Sequence, residues 1–136
     1  MHDLVARVQI FRLEDAIRLL PKFEPVVVHS FAPGVYAREI HIPAGVVLTG
    51  KIHRTEHLNI LSAGKVEVYN NGETKTMQAP FTFVSPVGTK RALFAVENTV
   101  WTTIHATDET DIDVLEAELI VESFELLDAE QRELLS

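Results

Sequence analysis

Two imidazoles stand four residues apart in His53-Arg54-Thr55-Glu56-His57, with Lys51 two residues before the first and Arg91 further along the chain. Imidazole titrates near neutrality, so His53 and His57 are candidates for a catalytic acid and base. It is also a common ligand of zinc, iron, nickel and manganese. A catalytic centre for such a divalent metal needs about three protein ligands and an open position. His41, Glu56 or His105 would supply the third, and the metal set carried forward is His53, His57 and His105. Lys51 opposes it, because an ammonium on the same strand face as His53 repels a divalent cation unless burial strips its proton. Arginine at 91 has no such escape.

Taken at face value, the cations describe a different chemistry. Lys51 and Arg91, with Arg38 or Lys90 beside them, form a donor-rich lining suited to a carboxylate or phosphate. Asn59 and Thr49 add neutral hydrogen bonding, and Tyr36 or Trp101 could stack on a ring. The expected ligand is a small anion: a carboxylate, a sugar acid or a nucleotide-like compound. The ligand-binding set is therefore Lys51, Arg91, Asn59, Tyr36, Arg38 and Trp101. The alternative has Lys51 and Arg91 tied up by Glu39, Glu56 or Glu97 at the surface. Metal-free catalysis would use His53 and His57 for proton transfer and a cation to stabilise developing negative charge. No Gly-x-Ser-x-Gly elbow, phosphate loop or Gly-x-Gly-x-x-Gly turn is present. His29 reads as structural or surface, and His2 as part of a loose terminus.

These residues need a β scaffold. Apolar alternation and turn residues predict strands at 26–29, 35–42, 46–53, 57–61, 66–69, 81–84, 91–96 and 100–106. Asn71-Gly72 marks a two-residue hairpin. Eight or nine short strands with turns every eight to twelve residues suggest a sandwich or barrel. Side chains two apart share a face, so Thr49, Lys51 and His53 point together, as do His57, Asn59 and Leu61, and Arg91 with Leu93 and Ala95. On the last strand, Trp101, Thr103 and His105 share one face and Thr102, Ile104 and Ala106 the other. Neither is plainly the core. Residues 12–20 have helical spacing stopped by Pro21. Asp108 or Thr110 would cap a helix through Ile112, Leu115, Leu119 and Ile120, and residues 128–135 form a second one. These helices would cover an open end or one face of the barrel, or make a dimer contact.

The 136 residues make one domain: a helical extension over 1–25, a barrel over 26–107 and acidic helices over 108–136. The net charge of −8 is unevenly distributed. Residues 108–136 hold eleven acids and one base, a net −10; the rest holds nine acids and eleven bases, a net +2. That balance excludes the broad basic surface that duplex nucleic acid requires. Apolar content is 46%, yet no run approaches the roughly 18 residues of a membrane helix. The absence of cysteine excludes disulfides and thiolate ligands and says little about redox compartment; with no signal-like N-terminus, a cytoplasmic protein is expected.

The spacing of the histidines, Gly64 and Ser85-Pro86-Val87-Gly88 resembles the paired motifs of the cupin superfamily. The resemblance implies a single antiparallel β-barrel of the double-stranded β-helix or jelly-roll type, all-β with short N- and C-terminal helices. Anchored on Gly64, the first motif places Lys51 at its first His, His53 at its second and His57 at its Glu. In the second motif Pro86 and Gly88 match, and Arg91 stands at the His. Two of the four usual ligand positions are thus cationic. Cupins include isomerases, epimerases, lyases and oxygenases, so the resemblance also implies a metal-dependent enzyme as an alternative to ligand capture. Phe31-Ala32-Pro33-Gly34-Val35-Tyr36, Thr49-Gly50-Lys51-Ile52-His53 and Trp101 through Thr107 are similar to small cupin-like proteins of bacteriophages and prophages. That likeness implies an accessory role in the host cytoplasm, acting on a host small molecule; a homodimer is expected separately. A structural protein whose acidic helices bind a partner is the remaining expectation.

Overall fold

The computed structural model describes residues 24–70 and 72–121. They form eleven strands and one helix: β1 (Val26–Ala32), β2 (Val35–Ile42), β3 (Val47–Thr49), β4 (Ile52–His53), β5 (His57–Ala63), β6 (Lys65–Asn70), β7 (Glu73–Gln78), β8 (Phe81–Ser85), β9 (Ala92–Ala95), β10 (Thr99–Ala106), α1 (Ile112–Leu119) and β11 (Ile120–Val121). Three antiparallel sheets result, ordered β1-β2-β10-β5-β8, β3-β9-β6-β7 and β4-β11. This is the all-β, antiparallel architecture expected. No helix among the described residues is long and apolar enough to cross a membrane.

The core sits between the two larger sheets. Leu61, Val66, Val68 and Trp101 are buried together, with Ile40, Met77, Phe83 and Leu93 packed around them. A second, smaller cluster joins Tyr36 to Leu115 and Leu119 of α1. The turn between β5 and β6 depends on Gly64: at φ +93° it occupies a conformation that L side chains rarely adopt, and a Cβ there would collide with Asn98 and Thr99.

Several boundaries differ from the sequence reading. The single strand expected over 46–53 is two. At Gly50 the chain leaves one sheet for another: the Gly50 amide donates to the Arg91 carbonyl (2.8 Å), β3 pairs with β9, and β4 pairs with β11. The Asn71-Gly72 hairpin signal leads into β7, a strand the alternation did not reveal because nearly all its side chains are polar and exposed. The helix cap is Asp111, whose carboxylate accepts from the amides of Asp113 and Val114. Asp108 is engaged instead by the Gly34 amide (2.7 Å). Ile120 lies beyond the helix, in β11. The helices expected over 12–20 and 128–135 lie outside the described residues.

Candidate functional site

Strand register builds the site in rows. Antiparallel pairing aligns Phe31 with Tyr36 and Tyr36 with His105, and puts His57 opposite Ser85. His57 lies level with His105, one step beyond the Leu58–Ile104 pair. The next row on the same face is His29, Arg38, Thr103, Asn59 and Phe83, and the row after it Val27, Ile40, Trp101, Leu61 and Phe81. Trp101, Thr103 and His105 therefore face inward, which settles the side of β10 that alternation left open. His53 arrives from β4, and Arg91 from the segment just before β9.

These side chains surround a cavity of about 340 Å³. Every residue of the ligand-binding and metal sets lines it: Tyr36, Arg38, Lys51, His53, His57, Asn59, Arg91, Trp101 and His105. Lys51 is exposed at the rim. Two other candidates lie elsewhere. His41 points outward and bonds Glu39 at 2.7 Å, and buried Lys90 donates to the Gly50 carbonyl at 2.8 Å. Neither His41 nor Glu56 is among the residues lining the cavity. Nor are Lys51 and Arg91 neutralised at the surface: among the described residues, Arg38, Lys51 and Arg91 are joined to no carboxylate.

The three imidazoles meet. Ring centroids are 4.2 Å apart for His53 and His57, 4.8 Å for His57 and His105, and 5.7 Å for His53 and His105. Burial, reinforced by mutual repulsion and by Arg91 and Arg38, pushes the His53 pKa down to about 3. Burial likewise brings His105 to about 4 and holds His57 below its ordinary value. All three are neutral at pH 7. His57 Nδ1 lies 3.1 Å from the Thr55 carbonyl, which can only accept, so the proton sits on Nδ1 and Nε2 keeps its lone pair. Buried His57 Nε2, His53 Nδ1, His105 Nδ1 and Arg91 Nε have no hydrogen-bond partner. Desolvation lowers the Arg91 pKa to about 10, leaving it a cation, with its guanidinium 5.2 Å from the Phe83 ring centre.

Other polar groups of the cavity wall are already engaged. Asn59 donates to Ser85 Oγ (2.7 Å) and accepts from Trp101 Nε1 (3.1 Å), so it braces the wall as well as lining it. The Tyr36 hydroxyl lies 2.6 Å from His29 Nδ1, within hydrogen-bond distance, and burial raises the Tyr36 pKa. His29, read from sequence as structural or surface, therefore lines the mouth beside Tyr36. Its place on the inner face could have been read from the Val27, His29, Phe31 alternation. Glu116 and the apolar face of α1 also line the cavity and were missed. Their i, i+4 spacing announces a helix but not what it covers.

Three neutral imidazoles with unpartnered nitrogens have the chemistry of a metal-ligand set. Their positions do not complete it. The rings lie within 16–36° of parallel, and no group of three His, Cys, Asp or Glu among the described residues is arranged to hold a metal ion. At least one ring must turn to bring the nitrogens round a common centre.

Known structures carry this arrangement of strands. A conserved protein with a double-stranded β-helix domain from Klebsiella pneumoniae superposes with a TM-score of 0.55 at 14% identity, over 64% of this chain and 80% of that one. A cupin 2 conserved barrel domain protein from Salinispora arenicola gives 0.53 at 13% identity, over 67% and 84%. The Cnp3 cupin domain of Schizosaccharomyces pombe gives 0.51 at 21% identity, over 71% and 74%. The chain has the cupin fold. No family model matches it, and no curated protein is similar to it in sequence. Within that fold, His105 closes the imidazole cluster from β10, and Lys51 and Arg91 line the same cavity.

Proposed function

We propose that this cupin-fold protein binds a small anionic molecule inside the barrel. The observation that carries the reading is the half-buried Arg91 side chain, which faces the cavity with its buried Nε unsatisfied and no carboxylate beside it. A desolvated charge without a partner is costly, and a ligand carboxylate or phosphate would supply the missing one. Arg38 and Lys51 add two more cations, against the single carboxylate of Glu116. The cavity falls within the roughly 300–1,000 Å³ usual for small-molecule sites. Isothermal titration with carboxylates and inorganic phosphate tests this. Saturable binding that Arg91→Gln weakens supports the reading; identical weak signals from wild type and variant would sink it.

A second reading rests on the unpartnered imidazole nitrogens. Here His53, His57 and His105 rotate to hold a divalent metal, and Arg91 fixes an anionic substrate beside it. The metal would act as a Lewis acid. Elemental analysis of untagged protein separates the readings, since stoichiometric zinc, iron, nickel or manganese favours the second. The phage-like sequence phrases supply a setting for either: capture or conversion of a host small molecule in the host cytoplasm. A homodimer is part of the same proposal. The exposed Val26, Val28, Leu58 and Val84 on the outer face of the five-stranded sheet support it, and a native mass spectrum checks it.

A further inference from the structure

The rows that locate the site also restrict what can fill it. The polar groups that its largest sheet turns inward are confined to a belt, while Thr49, Lys51 and Glu116 line the cavity from other elements. On the five-stranded sheet, Tyr36, His105 and His57 occupy one row and Arg38, Thr103 and Asn59 the next, so the belt spans about 7 Å of barrel length. His53 and Arg91 face the same belt: Arg91 acts electrostatically on both His53 and His57, and Arg38 on both His53 and His105. On one side of the belt the lining turns apolar, with Ile40, Ile42, Leu48, Leu93 and Trp101 as a floor. On the other side α1 contributes Ile112, Leu115 and Leu119. Asn59, the amide nearest the floor, already has its oxygen on Trp101 and its nitrogen on Ser85.

Resting on the anion-pocket reading, we infer that the ligand is an amphiphilic anion: one compact charged head held by the belt and an apolar, preferably flat, body lying against Trp101, Leu93 and Leu48. Aryl and branched-alkyl carboxylates belong to this class; polyhydroxylated sugar acids do not. A belt two rows deep has room for one carboxylate or phosphate. Hydroxyls carried past it would leave water for a surface of aliphatic carbons and indole carbon, where they find no acceptor. An aromatic ring in the same place removes apolar area from water on both sides of the contact. The body thus sets specificity and the head sets whether binding occurs at all.

Phenylacetate and galacturonate, two monocarboxylates that differ in the body, test this by isothermal titration of the full chain. Phenylacetate should bind about tenfold more tightly or better, the scale on which apolar pockets discriminate. Arg91→Gln should weaken it by a similar factor, while Leu48→Asn should narrow the preference over galacturonate. If Leu48→Asn melts abnormally, Leu93→Asn, its strand partner on the same floor, repeats the measurement. Galacturonate binding as tightly as phenylacetate would overturn the inference and leave the anion pocket standing. Phenylacetate binding that ignores Arg91→Gln, or no binding of either acid, would overturn the anion pocket and the inference with it.

Discussion

Where the belt meets the floor of the barrel, Asn59 links Ser85 to Trp101 in a chain of hydrogen bonds beside Leu61, Val66 and Val68. Nearer the helix, His53, His57, His105 and Arg91 each keep a buried nitrogen without a partner. Both regions are built from the same strands: two residues along β5 separate His57 from Asn59, and four along β10 separate His105 from Trp101. At the floor every polar group has been given what it needs and apolar contact does the rest. In the belt, desolvation has been imposed and left uncompensated. That contrast is what separates a structural interior from a binding one: the floor holds the fold, so that the belt can carry groups that destabilise it.

The sharpest way to break the comparison is at the floor. Leu61 is fully buried, and Leu61→Ala should cost about 2–5 kcal/mol in chemical denaturation. A loss below 1 kcal/mol would mean that the floor is not the anchor. Asn59→Ala should cost about 1–3 kcal/mol, because it strands the Trp101 N–H and the Ser85 hydroxyl. In the belt the sign changes. Arg91→Gln should reduce anion affinity about 10- to 100-fold, the worth of a charge-assisted hydrogen bond. The same substitution should leave the melting temperature unchanged or raised, because it removes an unpaired, half-buried charge.

Acid should distinguish the regions too. His53 and His105 titrate at about 3 and about 4 in the folded chain, below the ordinary 6.5. As the pH falls, the unfolded chain takes up these protons first, so stability should decline from about pH 6.5 towards pH 3 and be flat for these groups above 6.5. Melting temperatures across that range check it, and His53→Gln with His105→Gln should flatten the slope. The smallest effect belongs to the cover. Arg54 donates from its guanidinium to the carbonyls of Ala117 and Glu118 at the end of α1. Arg54→Ala should cost about 0.5–1.5 kcal/mol and speed amide exchange at Ile120.

Much of this was legible in the chain. Period-two alternation located β2, β5, β6 and β10 because each has one buried face. It failed for β7, which has almost none, and at Gly50, where the switch of sheets depends on a backbone contact to Arg91 that no local pattern encodes. The site residues could be named because alternation on β2 and β5 fixes which side chains travel together. That His105 joins His53 and His57, while His41 does not, needed the register between strands. The helix and a covering role for it were legible, but its seat was not, since Leu115 and Leu119 pack on Tyr36 of β2, more than seventy positions earlier.

The backbone amide of Arg54 also bonds the Leu119 carbonyl, so one residue grips the three carbonyls that end α1, and it sits between the two motif histidines. Ile120 then pairs directly with His53. The cover and the imidazole-bearing segment are thereby latched to each other. Guest exchange and any reorientation of His53 should relax with one shared time constant, visible as common exchange broadening at residues 53, 54 and 120.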